Sequence, residues 1–269
     1  MNRKPNLKWL RGMDWDKGSQ RDLAVVIAGA CLLLIIASIG FESLLKEEEK
    51  PLPDFALIKN VSERKSVFFK HMLPYVEEAN YKILEQRDDI KRIQTAFLEG
   101  RRIGKRDRAR IDSLVEEYKL DPVEELSEET FRHLLTRADE IPPSLALSQA
   151  ALESGWGSSR FVKEGNNLFG MWCYEPGCGV VPKRRPKGKT YEVASYDTPR
   201  DSFLAYFRNL NTNRYYLEMR AILKSLRNQD LAFNGIDLAE GLDRYSQEGY
   251  RYISKVRSVI RSNKLTRFD

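Results

Sequence analysis

Histidine is scarce: His71 and His133 are the only two in 269 residues, and both lie far in sequence from the cysteines. Cysteine is scarce too. Of the three, Cys31 sits in an apolar segment, while Cys173 and Cys178 bracket a short CYEPGC loop with no second pair after it. That spacing argues against a metal site, so no metal or cofactor is expected, and Cys173 and Cys178 can instead pair as a disulfide in an oxidising compartment. Charge is not segregated either. The 45 basic and 39 acidic residues are mixed along the chain, for a net charge of +6. This argues against a nucleic-acid partner and fits a mildly basic surface that adheres to an anionic polymer or to lipid headgroups. With 31% charged and 42% hydrophobic residues, the composition is that of a folded protein.

One uncharged run stands apart: residues 23–41, LAVVIAGACLLLIIASIGF, nineteen residues long. As a helix it would reach roughly 28 Å, against a hydrocarbon core of about 30 Å, so it is expected to be a single membrane span. Arg3, Lys4, Lys8, Arg11, Lys17 and Arg21 precede it, whereas Glu42, Glu47, Glu48 and Glu49 follow. The positive-inside bias then leaves residues 1–22 in the cytoplasm and the bulk of the chain outside it. A cleavable signal peptide is the competing reading, but Ala37-Ser38-Ile39-Gly40 is a poor cleavage site. Residues 42–60, with their charge run, Pro51 and Pro53, read as an exposed linker.

The region 61–125 reads as a helical lead-in. Phe68, Met72, Tyr75, Val76, Ile83, Leu84, Ile90, Ile93 and Phe97 recur at helical spacing, predicting one long helix or two broken at Pro74. A second helix is expected over about 108–118, and Ser127, followed by Glu128 and Glu129, is a good N-cap for a third carrying Phe131, Leu134 and Leu135.

Residues 126–269 hold the chemistry. Pro142 and Pro143 suit the first turn of a helix, and Leu145, Ala146, Leu147, Ala150, Ala151 and Leu152 leave it almost no polar face, so it must be buried. Glu153 is the exception, just before Gly155, a fitting C-cap. Desolvation and the negative end of the helix dipole both disfavour its carboxylate, and a carboxylic acid that keeps its proton near neutral pH can act as a general acid. Residues 171–196 then turn rich in Gly, Pro and Lys, with short candidate strands at 179–181 and 191–195, which reads as a small β-lobe. Lys183, Arg184, Arg185, Lys187 and Lys189 project from it, as a solvated tip or as a contact for carboxylates of a ligand. The remainder is helical, starting at Asp197-Thr198-Pro199.

ALESGWGSSRF followed by NNLFG resembles the glucosaminidase group of peptidoglycan hydrolases, glycoside hydrolase family 73 and its relatives, over about residues 65–260. The resemblance implies a mainly α, lysozyme-like α+β domain with a small β-lobe across a cleft from the acid. It also implies that Glu153 is the catalytic acid of an endo-β-N-acetylglucosaminidase cutting the β-1,4 bond after N-acetylglucosamine. Such an enzyme would be anchored in the bacterial inner membrane with its catalytic domain periplasmic. Asn166, Asn167 and Phe169 of the NNLFG turn are expected on the cleft floor, and Trp156, Trp172 and Tyr196 are candidate sugar platforms. NLNTNRYY offers Tyr215 or Tyr216, and Tyr250 in the closing helix is a further substrate contact. Each of these aromatics can equally be core.

A glycosidase also needs a second group, roughly 5 Å from the acid if a nucleophile or 6.5–9.5 Å if it activates water. Glu192 is the preferred candidate, ahead of Glu175 and Asp197; the substrate's own acetamide is the alternative. Two rival functions stand beside hydrolysis: a lytic transglycosylase, which NNLFG and the CYEPGC loop argue against, and an idle wall-binding protein, which the intact Glu153 argues against.

Overall fold

The computed structural model describes residues 51–269, which form one compact unit from Leu52 onward. The expected membrane span at 23–41 lies outside the described residues. Among those described, no helix is long and apolar enough to cross a membrane.

The fold is mainly helical. Helix α1 (Val61–Leu98) is capped by the Asn60 side chain, which accepts from the Glu63 amide, and it runs unbroken through Pro74. Proline removes one backbone hydrogen bond, but Phe68, Phe69, Met72 and Val76 on either side are buried in the core and hold the two halves in line. Helices α2 (Lys105–Glu117) and α3 (Glu128–Arg137) follow, and Ser127 caps α3 in a reciprocal box with Thr130. Then come α4 (Pro143–Ser154) and the short α5 (Arg160–Gly165). Three short strands, β1 (Trp172–Cys173), β2 (Gly179–Val180) and β3 (Glu192–Ala194), form an antiparallel sheet in the order β1-β3-β2, with Trp172 opposite Val193 and Gly179 opposite Ala194. The chain closes with α6 (Pro199–Thr212), α7 (Leu217–Asn228), the single turn α8 (Gly235–Leu238) and α9 (Tyr250–Ser262).

The periodicity of α1 serves two cores. Its first half packs with α4, α6 and α9 in the main core, while Ile90 and Ile93 in its second half join Ile111, Leu114, Phe131 and Leu134 of α2 and α3 in a smaller one. At the centre of the main core lies α4, buried without a break from Ser144 to Ala151. Its neighbours are α1, α8, α9 and the C-terminal turn Leu265–Phe268. Such a helix needs its orphan amides satisfied from elsewhere. The carboxylate of Asp269, at the far end of the chain, accepts from the Ser144 amide at 2.7 Å and its hydroxyl at 2.6 Å. Gly235 permits the close approach of α8: a Cβ there would stand 2.3 Å from Ser144 Oγ and 2.5 Å from the Leu145 nitrogen.

The entry to α4 is fixed by two polar clamps. Buried Asn80 of α1 donates to the Ile141 carbonyl at 2.8 Å and accepts from its amide at 2.9 Å. Asp139, also buried, is held by three hydrogen bonds from the Arg227 guanidinium of α7. Replacing Asn80 by Ala would leave both Ile141 groups buried and unpaired, so Asn80→Ala should lose about 2 kcal/mol in equilibrium urea unfolding. A loss below about 0.5 kcal/mol would show that the clamp does not position α4.

Candidate active site

The end of α4 is built by a run of left-handed residues. Gly155 (φ 57°) caps the helix, and Trp156 (φ 59°) and Gly157 (φ 76°) continue the turn, which swings the chain away and leaves Glu153 facing the interior of the unit. Three residues impose this geometry. A Cβ on Gly157 would stand 2.3 Å from the Phe55 ring, so the chain can turn here only with glycine at that position. Trp156 goes into the fold: its ring meets Phe68 and Phe69 of α1 edge-on at 5.9 and 5.4 Å, with Lys65 Nζ over its face.

Glu153 is partly buried among tyrosines. Tyr252 Oη donates to Glu153 Oε1 at 2.7 Å, and Tyr245 stacks on Tyr252 with ring centres 5.1 Å apart. Behind Tyr252 lies Gln149, one turn before Glu153 on α4 and fully buried; its Nε2 donates to Tyr252 Oη at 2.9 Å, and its Oε1 accepts from Tyr206 Oη at 2.5 Å. Phe169 stacks on Tyr206 at 3.8 Å. Burial raises the Glu153 pKa above the ordinary glutamate value, the Tyr252 bond opposes it, and the charges of Glu248 and Lys255 add smaller pushes upward and downward respectively. Burial likewise holds Tyr206, Tyr245 and Tyr252 well above the usual phenol range, so these hydroxyls stay protonated. The NNLFG turn supplies the other side. Gly170 (φ 63°) has no side chain where a Cβ would stand 3.9 Å from Glu153 Oε2. Glu153 therefore binds its proton more tightly than a solvated glutamate, in a polar, aromatic setting with one oxygen toward a glycine.

Other predicted residues fall in several places. Asn167 is buried and spends its amide on the fold, donating to Met171 and Ala194 carbonyls and accepting from the Phe169 and Met171 amides. Asn166 ends α5 in the left-handed region and donates to the Tyr196 and Asp197 carbonyls. Phe169 is core, and Tyr196 is half-buried with its hydroxyl on Met171 Sδ. Trp172, Tyr215 and Tyr250 are exposed at 49%, 44% and 72%, free to meet a ligand, and Trp172 is braced edge-on by Tyr191. Arg214 donates to Tyr215 and lowers its phenol pKa.

Cys173 and Cys178 are joined as a disulfide. Glu192, on β3, is 6% exposed, and its two oxygens accept from the Gly177 and Gly179 amides at 3.2 and 2.9 Å, with Arg185 3.8 Å away. It ties the disulfide loop to the sheet. Sequence reasoning passed over Gln149, and among the tyrosines of the closing helix it singled out Tyr250 rather than Tyr252, the one that reaches Glu153. Gln149 carried a signal: it is the one amide in an apolar helix, at the i, i+4 spacing that puts it on the face of Glu153.

A family model described as Glucosaminidase, mannosyl-glycoprotein endo-beta-N-acetylglucosaminidase, matches residues 130–265. Protein bax of Escherichia coli (strain K12) is 29% identical over 215 residues, covering 79% of this chain and 74% of that protein. Among solved structures, the catalytic domain of the autolysin Auto from Listeria monocytogenes aligns over 80% of this chain and 92% of its own, at 18% identity and a TM-score of 0.38.

Two measurements follow from this geometry. Because burial makes the folded state bind the Glu153 proton more tightly than the unfolded chain, the stability it contributes is full below the ordinary glutamate pKa. That stability is lost as pH rises through the raised value. Glu153→Gln should therefore melt higher than wild type near neutral pH and lose that advantage toward about pH 4; an advantage that persists unchanged at low pH would contradict a raised pKa. Opening the disulfide with Cys173→Ser frees a short loop, for an expected cost of about 2 kcal/mol in thermal unfolding.

Proposed function

The chain belongs to the glucosaminidase family, and from that premise we propose that it is a peptidoglycan hydrolase, an endo-β-N-acetylglucosaminidase of lysozyme-like build with Glu153 as its general acid. The observation that carries this reading is a carboxyl at the end of a buried apolar helix, its pKa raised by burial, with Tyr252 on one oxygen and the bare backbone of Gly170 beside the other. A protonated Glu153 would give its proton to the glycosidic oxygen as the bond to the sugar C1 breaks and its electron pair leaves with that oxygen. The carboxylate that remains accepts the Tyr252 hydroxyl. Exposed Trp172 and Tyr250, two residues from Gly170 and Tyr252 respectively, offer flat faces for neighbouring sugars.

For the second group, we favour the N-acetyl oxygen of the substrate. It would close on C1 as the leaving oxygen departs, and water would then open the ring with Glu153 acting as base. Glu192 is the alternative from this chain, but both its oxygens are engaged by loop amides. We also propose that residues 23–41 anchor the protein in the inner membrane with the hydrolase on the periplasmic side. Support comes from the charge asymmetry around that run and from the disulfide, which requires an oxidising compartment.

Incubating the purified chain with peptidoglycan and weighing the reduced products tests the activity. Hydrolysis should yield reducing N-acetylglucosamine ends, and Glu153→Gln should lower their rate at least about a hundredfold. Anhydromuramic ends, lighter by one water, would mark a transglycosylase, and no products from either protein would sink the hydrolase. In the same assay Glu192→Gln should keep at least about a tenth of the activity; a loss as deep as that of Glu153→Gln would make Glu192 the second catalytic carboxylate.

A further inference from the structure

A carboxylic acid has two oxygens, and only one can carry the proton to the scissile bond. The buried chain behind Glu153 decides which. A primary amide donates from nitrogen and accepts at oxygen. In this structure Tyr206 Oη donates to Gln149 Oε1, and Gln149 Nε2 donates to Tyr252 Oη, which leaves the Tyr252 hydrogen for Glu153 Oε1. Each bond dictates the direction of the next. With Oε1 occupied as an acceptor, the proton of a neutral Glu153 belongs on Oε2, the oxygen beside Gly170. Turning the amide over would reverse everything. Tyr252 would then donate to Gln149, and Glu153 would have to point its own proton back at Tyr252, away from Gly170.

We propose that Gln149 is a positioning residue for the reaction: held by Tyr206, its amide commits the Tyr252 hydroxyl to Glu153 Oε1 and so directs the acid proton to Oε2 on the Gly170 side. This rests on Glu153 being the acid. It deepens that reading by naming the device that aims the proton. Gln149 touches no substrate, since it is fully buried between Tyr206 and Tyr252. The same device favours catalysis after transfer, because a directed hydroxyl stabilises the carboxylate on Oε1 as it forms.

The groups that face Glu153 and can shift its titration are Tyr206 from α6, Tyr216 before α7, Tyr245 and Glu248 from the segment ahead of α9, and Tyr252 and Lys255 of α9. All of these groups are retained when Gln149 is replaced by Met, which is close in size and carries neither amide function, and only the bonds of Tyr206 and Tyr252 to the amide are lost. The full chain, wild type and Gln149→Met, is assayed for turnover of soluble peptidoglycan glycan oligomers against pH, with circular dichroism melting as the control for folding. The expected result is a kcat about ten- to a hundredfold lower with KM within about twofold. The alkaline limb of the profile should also move to higher pH, because the undirected Tyr252 stabilises the carboxylate less.

A purely structural role for Gln149 would lower the melting temperature while leaving the alkaline limb in place. A folded Gln149→Met with wild-type kcat, or with an unmoved limb, overturns the proposal. Should Gln149→Met fail to fold, Tyr206→Phe removes only the hydroxyl that sets the amide. It should lower kcat by about three- to tenfold and shift the limb the same way; no change in either overturns the proposal. Glu153→Gln in parallel separates the two readings: full activity there removes the acid itself, whereas an inactive Glu153→Gln beside a wild-type-like Gln149→Met removes only the positioning.

Discussion

A helix without a polar face has to be enclosed, and the enclosure of α4 is the constraint on which this molecule is arranged. Helices α1, α8 and α9 and the C-terminal turn all rest on it, and Asp269 reaches back across the whole domain to satisfy its first turn. Burying so much apolar surface stabilises the core, but it also forces any polar group on the helix to find partners inside the protein. Gln149 and Glu153 are one turn apart on one face, and the partners they find are tyrosines rather than charges. That choice leaves burial free to raise the carboxyl pKa, where a neighbouring arginine would have lowered it.

The lead-in helix α1 belongs to this logic. It lays its first half against α4 and α6, receives Trp156 from the turn that ends α4, and clamps Ile141 through Asn80. Its second half reaches into the smaller core with α2 and α3. The β-lobe is held differently. Three strands of two or three residues bury too little to hold themselves, so a disulfide, the Glu192 carboxylate and the Asn167 amide supply by covalent and polar bonds what packing does not. Asn167 and Glu192 thus join the lobe internally, and the exposed aromatics Trp172 and Tyr250 are left to face outward.

Local information in the chain was enough for the longer helices, though not for the six-residue α5, because caps and periodicity act over a single turn. Asn60, Ser127 and Thr198 start their helices with side-chain caps, and Gly155 ends α4 in the left-handed region. Pro74 marked a possible break that the structure lacks, since proline's local cost is offset by core contacts made far along the chain. The small sheet was legible in part: β2 and β3 lie within the stretches expected at 179–181 and 191–195, whereas β1 at Trp172–Cys173 was not expected.

The amino-acid sequence by itself determined that a carboxyl group would stand at the end of a buried helix, for apolar residues and glycine within one stretch of twelve suffice to say so. Tertiary structure alone decided what surrounds that carboxyl. Tyr252 and not Tyr250 reaches Glu153, because two residues rotate a helix by about 200° and only one side of α9 meets α4. Trp156 turns into α1 and Asn167 into the lobe for the same reason: their partners lie in other segments, at distances along the chain that no local pattern encodes.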